Sequence, residues 1–198
     1  MKYFAWALVL ISILSACSPT TDNAEPAIDE RNSMQQPGDL IDGEVMAIAY
    51  SGFREGQHPD RGNGANNPSP EEILEDLRIL VEHGFGLIRL YDSGENSMTT
   101  LELIEEHDLP IKVLLGMWLQ AEISNHEGCP WLDEPIPDDE LAANQSENGV
   151  EIKRGIELAR RFEEIVVAIN VGNEALVEWN DHMVPLEQVI AYVRHVKA

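Results

Sequence analysis

The sequence contains 198 residues, of which 36 are acidic and 13 are basic, so its formal net charge is −23 at pH 7. A chain this acidic repels nucleic acid and anionic lipid head groups, which excludes both as direct binding partners, whereas uncharged polymers are not repelled. Hydrophobic residues make up 43% of the chain, which is enough to form a globular core.

The first sixteen residues are typical of a signal peptide. Lys2 is followed by an apolar run, residues 3–14, that is too short to cross a bilayer as a helix. The run ends in Leu14-Ser15-Ala16-Cys17, which resembles the lipobox of bacterial lipoproteins. This resemblance implies cleavage before Cys17 and lipidation of its thiol, which anchors the protein to a membrane of the cell envelope. By resemblance to Gram-negative sorting rules, Ser18 directly after Cys17 favours the outer membrane. If the segment is instead an ordinary signal peptide, the protein is secreted.

Residues 17–43 are predicted to form a flexible tether between the lipid and a folded domain. This segment is rich in Pro, Asp, Asn, Ser and Gln, and its apolar residues show no period. It would bury too little surface to offset the entropy lost on ordering. The folded domain is therefore expected to occupy residues 44–198.

The cysteines and histidines do not form a pattern that binds a metal. The two cysteines are Cys17 and Cys129, so lipidation of the first leaves the second without a disulfide partner. His58, His126 and His182 lack metal-ligand spacing, and we predict that they lie on the solvated surface. We expect neither a metal nor a cofactor.

From residue 44 onward, apolar strands alternate with amphipathic helices. The strands are predicted at residues 44–50, 86–91, 110–117 and 165–171, and the helices at 70–83, 97–107, 149–162 and 184–196. The first helix has a clear start, because Ser69 is a candidate N-cap and Pro70 suits the first helical position. An insertion, residues 118–147, separates the third strand from the third helix.

Four successive βα units indicate an α/β fold with a parallel sheet that is covered by helices. Two architectures fit, an open doubly wound sheet and a (β/α)8 TIM barrel of which these are the first four units, and the spacing barely separates them. A nucleotide site is poorly supported, because no Gly-x-Gly-x-x-Gly follows the first strand. In a barrel, functional residues lie at the carboxyl ends of the strands, and polar and aromatic residues occur at those ends here.

Three strand ends resemble one enzyme family. Ile88-Arg89-Leu90-Tyr91-Asp92 and Val171-Gly172-Asn173-Glu174 are similar to signatures of glycoside hydrolase family 17, and Ala47-Ile48-Ala49-Tyr50-Ser51-Gly52 is similar to its first strand. The resemblance covers residues 44–198, and Asn-Glu at the end of strand four is its most specific element. It implies a TIM barrel that hydrolyses or transglycosylates β-1,3-glucan of the laminarin or callose type with retention. The insertion departs from the compact plant members.

The resemblance also implies roles for individual residues. Glu174 corresponds to the acid/base carboxylate, and Asn173 to the residue that binds the 2-hydroxyl of the substrate. Tyr50 and Tyr91 correspond to the wall of the subsite for the cleaved sugar. On local sequence alone, Glu174 has an alternative interpretation as an acid at a helix start, stabilised by the helix dipole.

Three further residues lie close to the strand ends. Trp118 and Trp179 follow strands three and four, where their rings can stack on a sugar, although packing in the core suits such rings equally. Glu178 follows Glu174 by one helical turn. We assign it no catalytic role, because the clan to which the family belongs carries its nucleophile on strand seven.

Four βα units make half of a (β/α)8 barrel, which needs about 250 residues. We therefore expect that the sequence is part of a longer gene product or that another chain completes the domain. The strand-seven nucleophile would then be missing, and the 198-residue chain alone would be inactive. Three functions stay open: a β-1,3-glucan hydrolase, a β-1,3-glucanosyltransferase, and a lipoprotein that binds glycan without cleaving it.

Overall fold

The computed structural model describes residues 45–60 and 64–198. The predicted signal peptide, the lipidation site at Cys17 and the tether all lie outside these residues. Within them, strands and helices alternate as predicted. The strands are β1 (Met46–Ala49), β2 (Phe85–Arg89), β3 (Lys112–Met117) and β4 (Val166–Val171). The helices are α1 (Pro70–Glu82), α2 (Glu95–Glu106), α3 (Asp138–Arg161) and α4 (Leu186–Lys197).

The start of α1 has the predicted cap. The Ser69 hydroxyl accepts a hydrogen bond from the Glu72 backbone N–H at 3.3 Å, and the Glu72 carboxylate accepts one from the Ser69 backbone N–H at 2.9 Å. Pro70 occupies the first turn, where its missing N–H costs nothing. This reciprocal pair satisfies two N–H groups that a helix start otherwise leaves unpaired.

The third helix begins earlier than the sequence pattern predicts. α3 starts at Asp138 rather than at Gly149, and Pro137 precedes it in an extended conformation. Acidic residues fill the first turn of α3, where the helix dipole stabilises negative charge. The prediction of an insertion before the helix is therefore wrong for residues 138–147. Only residues 118–137 form the connection, which we call the β3–α3 loop.

The four strands form one parallel sheet in the order β1-β2-β3-β4. Each of the three crossovers leads to the neighbouring strand in the same direction, so right-handed crossovers place α1, α2 and α3 on one face of the sheet. The burial along β3 agrees with helices covering this face of the sheet, since Val113, Leu115 and Met117 are fully buried and Lys112 is exposed. A doubly wound sheet would reverse its strand order and carry helices on both faces. This α/β fold is compatible with part of a TIM barrel.

Two groups of buried side chains join the helices to the sheet. One lies between α1, α2 and the strands, where Leu77 and Ile88 are fully buried. The other joins β3 and β4 to α3 and α4 through Met117, Ile152 and Tyr192. No helix within residues 45–60 and 64–198 is long and apolar enough to cross a membrane.

The β3–α3 loop packs on the loop after β4, residues 172–185, which we call the β4–α4 loop. Asn125 Nδ2 donates hydrogen bonds to the carbonyl oxygens of Glu178 and Asn180, at 2.8 and 2.9 Å. In the same β3–α3 loop, the Glu122 carboxylate accepts a hydrogen bond from the Tyr192 hydroxyl in α4 at 2.5 Å. Burial and this carboxylate raise the pKa of Tyr192 to about 12. The two loops therefore form one surface.

Candidate active site

Side chains from β2 and β4 meet at the carboxyl ends of the parallel strands. The guanidinium of Arg89, in β2, donates a hydrogen bond to Asn173 Oδ1, just after β4, at 2.5 Å. The same guanidinium lies 4.8 Å from the centroid of the Tyr91 ring, which is within cation–π range. Arg89 thus brings two predicted site residues, Tyr91 and Asn173, to one place. The sequence pattern assigns it no role, because its partner is 84 positions away.

Arg89 also fixes the orientation of the Asn173 side-chain amide. A guanidinium only donates hydrogen bonds, so the amide oxygen must face it and the Nδ2 group must face away. No residue in the described part of the chain accepts a hydrogen bond from this Nδ2, and the group is open to solvent. It can therefore donate a hydrogen bond to a ligand hydroxyl without changing its own charge.

Glu174 lies in a strained turn directly after Asn173. Its φ is +52°, a left-handed conformation that residues other than glycine rarely adopt, and Gly172 has a φ of +76°. The Val177 N–H donates to the Glu174 carbonyl oxygen at 3.0 Å, and the Asn180 side-chain amide also donates to it, which holds the turn. The side chain is exposed. Strain of this kind concentrates at functional sites.

The alternative interpretation of Glu174, as an acid at a helix start, is wrong. The next helix, α4, begins at Leu186, and the whole β4–α4 loop lies between the two residues. The carboxylate of Glu174 therefore does not lie at the amino-terminal end of a helix. The carboxylate is exposed because the left-handed turn at Glu174 directs it into solvent and not toward a helix.

Trp118 and His182 stack beside Asn173. Their ring centroids are 4.6 Å apart and their planes differ by 30°. His182 Nε2 donates to the Asn173 carbonyl oxygen at 3.1 Å, and His182 Nδ1 donates to the Asp181 carboxylate at 2.9 Å. The two contacts hold the ring between Asp181 and the backbone of Asn173. The prediction of a solvated His182 is wrong, because packing against Trp118 leaves its side chain 14% exposed.

The buried carboxylate of Glu151, in α3, holds two strand ends together. Its Oε1 accepts hydrogen bonds from the backbone N–H groups of Ser93, after β2, and Trp118, after β3, at 2.7 and 3.1 Å. Arg154, one turn later in the helix, pairs with the other oxygen of the carboxylate. A buried charge is stable only with such partners. Glu151 therefore fixes the backbone from which the Trp118 ring projects.

Tyr50 does not belong to this group of contacts. The residue is 9% exposed, and its hydroxyl donates to the Asp76 carboxylate in α1 at 3.3 Å. Burial, reinforced by the charge on Asp76, raises the pKa of this hydroxyl above its usual value. The ring packs in the core between the sheet and the helices. Tyr50 thus has a packing role here, and little of its ring is left for a sugar to contact.

Two exposed tryptophans, Trp131 and Trp179, lie on the β3–α3 and β4–α4 loops. They are 55% and 50% exposed, and they meet edge to face with centroids 5.9 Å apart and planes 62° apart. Trp131 Nε1 donates to the Asp181 carboxylate at 3.0 Å. The hydrogen bonds from His182 and Trp131 lower the pKa of the Asp181 carboxyl. The sequence pattern marks Trp179 as a site candidate but not Trp131, whose partners are far away in the chain.

The groups that meet at the strand ends are polar and aromatic side chains. Within residues 45–60 and 64–198, no group of three or more His, Cys, Asp or Glu side chains is placed to hold a metal ion. Cys129 is a buried free thiol. The strand ends instead bring together a carboxylate, an amide, a guanidinium and aromatic rings. These groups can bind an uncharged polyhydroxyl ligand and can transfer a proton to it.

Comparison with known proteins gives one informative similarity. No protein-family model matches the sequence, and no curated protein does. A solved structure, an endo-laminarinase from Formosa Hel1_33_131, is similar at 27% sequence identity with a TM-score of 0.59. The match covers 78% of this chain and 37% of that enzyme, so the chain spans little more than a third of the enzyme's length. The chain has an α/β fold similar to part of a laminarinase.

Proposed function

We propose that the whole protein is a retaining glycoside hydrolase of the family 17 type that acts on β-1,3-glucan, and that this chain forms the first half of its TIM barrel. The Asn173-Glu174 pair after β4 carries the proposal, because it combines a free amide N–H with an exposed carboxylate in a strained turn. The similarity to an endo-laminarinase supports the choice of substrate. An uncharged glucan also suits a chain with a net charge of −23.

In the proposed reaction, Glu174 is the general acid and later the general base. It donates its proton to the glycosidic oxygen as the bond between that oxygen and the anomeric carbon breaks. A second carboxylate, about 5–5.5 Å from the acid in retaining enzymes, attacks the anomeric carbon and forms a glycosyl ester. Ionised Glu174 then takes a proton from water, which attacks the ester and releases the sugar. The family resemblance places the second carboxylate on strand seven, beyond the four βα units of this sequence.

The neighbours of Glu174 supply binding contacts in this proposal. Asn173 Nδ2 donates to the 2-hydroxyl of the sugar. Arg89 binds the amide oxygen of Asn173 and thereby keeps Nδ2 directed at the ligand. The rings of Tyr91 and Trp118 offer flat apolar faces against which the C–H face of a sugar can pack. These contacts involve only hydroxyl and C–H groups of the sugar, so the substrate need not carry any charge.

Two other functions would use the same groups. A glucanosyltransferase passes the glycosyl ester to a sugar hydroxyl instead of water, and a binding protein holds the glucan without cleaving it. Binding alone needs no exposed carboxylate in a strained turn, so the conformation of Glu174 favours an enzyme. The choice between water and a sugar as the acceptor depends on parts of the cleft beyond these four strands.

The products formed from laminarin test the proposed function. We expect the protein expressed from its whole gene to release reducing sugars whose first-formed anomer is β, as seen by proton NMR. Anionic alginate should not be cleaved. Products longer than an added laminari-oligosaccharide would identify a transferase, and binding without new reducing ends would identify a binding protein. The absence of both binding and cleavage would contradict all three functions.

We further propose that the mature protein is lipidated at Cys17 and anchored in the outer membrane, as the sequence Leu14-Ser15-Ala16-Cys17 suggests. In a Gram-negative host, the protein should incorporate labelled palmitate and sediment with membranes, and Cys17→Ser should lose both properties. Cys129→Ser is the matched control, since Cys129 is buried in the folded domain and should not be acylated. Palmitate labelling that survives Cys17→Ser would rule out this anchor.

A further inference from the structure

We propose that Trp131 and Trp179, here called the Trp pair, form a distal subsite that binds a β-1,3-glucan chain at a second point, beyond the sugars held at Asn173 and Glu174. The inference rests on the proposed function and extends substrate binding to Trp131, for which the sequence predicts no role. About half of each tryptophan is exposed. Such large apolar rings left in water on adjoining loops are typical of a binding surface.

The Trp pair is held in place before any ligand arrives. The indole N–H of Trp131 is fixed by its hydrogen bond to Asp181. The loop that carries Trp179 is fixed by Asn125, which bonds the carbonyl oxygens on either side of Trp179. A ligand that stacks on these rings therefore loses little affinity to the ordering of side chains or loops.

A continuous set of contacts joins the Trp pair to the candidate active site. Asp181 accepts hydrogen bonds from both Trp131 and His182, at 3.0 and 2.9 Å. His182 in turn stacks on Trp118 and donates to the carbonyl oxygen of Asn173. The Trp pair and the Asn173-Glu174 turn thus belong to one connected surface, which a single polysaccharide chain can contact at several sugars.

The angle between the two rings favours a curved glucan. Planes that differ by 62° cannot both stack on one sugar or on a flat ribbon. β-1,3 linkages turn the chain at each sugar, so successive rings face in different directions, whereas a β-1,4-linked chain runs as a flat ribbon. Acidic side chains such as Asp181 accept hydrogen bonds from hydroxyl groups and repel anionic polysaccharides. The ligand class is therefore an uncharged β-1,3-glucan.

Binding of oligosaccharides of different lengths tests the subsite. Full-length protein carrying Glu174→Gln, which should slow cleavage enough for binding to be measured, is titrated calorimetrically with laminaritriose, laminarihexaose and cellohexaose. Trp131→Ala in this background should weaken laminarihexaose binding about three- to tenfold, as expected for one lost aromatic contact, and leave laminaritriose binding unchanged. The Glu174→Gln protein that retains Trp131 should bind laminarihexaose more tightly than cellohexaose. Val150→Ala is the control, because Val150 is an exposed apolar residue of α3 and should change neither affinity.

Each outcome decides the question. Unchanged laminarihexaose binding in Trp131→Ala overturns the subsite while leaving the glucan-binding function intact, and an equal loss for both laminari-oligosaccharides overturns it as a general disturbance. If Trp131→Ala fails to fold, Trp131→Phe keeps a ring but loses the bond to Asp181, and it must then bind laminarihexaose more weakly and laminaritriose equally well. Binding of neither oligosaccharide by the parent protein rejects the proposed function and the subsite with it.

Discussion

Glu174→Gln should lower laminarin cleavage by the whole-gene protein about 10²- to 10⁴-fold, the range for loss of a general acid. Glutamine matches glutamate in size and can occupy the same left-handed turn, but it has no proton to give to the departing glycosidic oxygen. The effect should therefore appear in kcat and not in the folding of the protein. Release of reducing sugar from laminarin measures it, and an unchanged unfolding midpoint shows that the fold is intact.

Substrates with different leaving groups show whether Glu174 acts as the acid/base or as the nucleophile. An aryl glucoside with an acidic phenol needs little protonation to depart, so Glu174→Gln should slow formation of its glycosyl ester much less than it slows laminarin cleavage. Azide should then restore turnover, because it attacks the ester without the help of a base, and a glycosyl azide of β configuration should accumulate. A missing nucleophile would instead abolish retaining turnover on both substrates.

Glu178→Gln provides the matched control for this prediction. Glu178→Gln replaces the same carboxylate by the same amide four positions away. Glu178 is also exposed on the β4–α4 loop. We expect laminarin cleavage by this variant to equal that of the parent. If Glu174→Gln also cleaves laminarin at the parent rate, Glu174 is not the acid and the proposed mechanism is wrong.

Gly116→Ala should destabilise the fold by about 3 kcal/mol, the upper part of the range for overpacking a core. A Cβ at this position in β3 would lie 2.4 Å from the carbonyl carbon and oxygen of Tyr91 and 2.5 Å from the carbonyl oxygen of Leu90. These are backbone atoms just after β2, so no side-chain rotation can relieve the overlap. Urea unfolding measures the change, and laminarin cleavage should fall as well, because Tyr91 must move.

Gly149→Ala is the control for Gly116→Ala. Gly149 lies within α3 and is exposed, and a Cβ there would meet nothing within 4 Å. Alanine is a better helix former, so we expect a gain of about 0.5–1 kcal/mol in the free energy of unfolding. The same chemical change should thus act in opposite directions at the two glycines. Equal effects would show that Tyr91 does not lie against Gly116 as described.

The local features of this protein follow from its sequence. The four βα units are visible as apolar runs followed by helical periodicity, and the Ser69 cap of α1 depends on residues three positions apart. The placement of Asn173 and Glu174 after β4 is equally local, since a strand end and the residues that follow it need no distant partner. Such features can be predicted because neighbouring residues alone fix them.

Other features were decided only by tertiary packing. Arg89 reaches Asn173 across 84 positions, Glu151 reaches Ser93 across 58, and Trp131 reaches Asp181 across 50. No periodicity or spacing marks such pairs, because they exist only once the sheet has aligned the strand ends and the loops have packed on one another. The core position of Tyr50 has the same origin. Its sequence places it at a strand end, but which way its ring turns depends on the helix that packs against it.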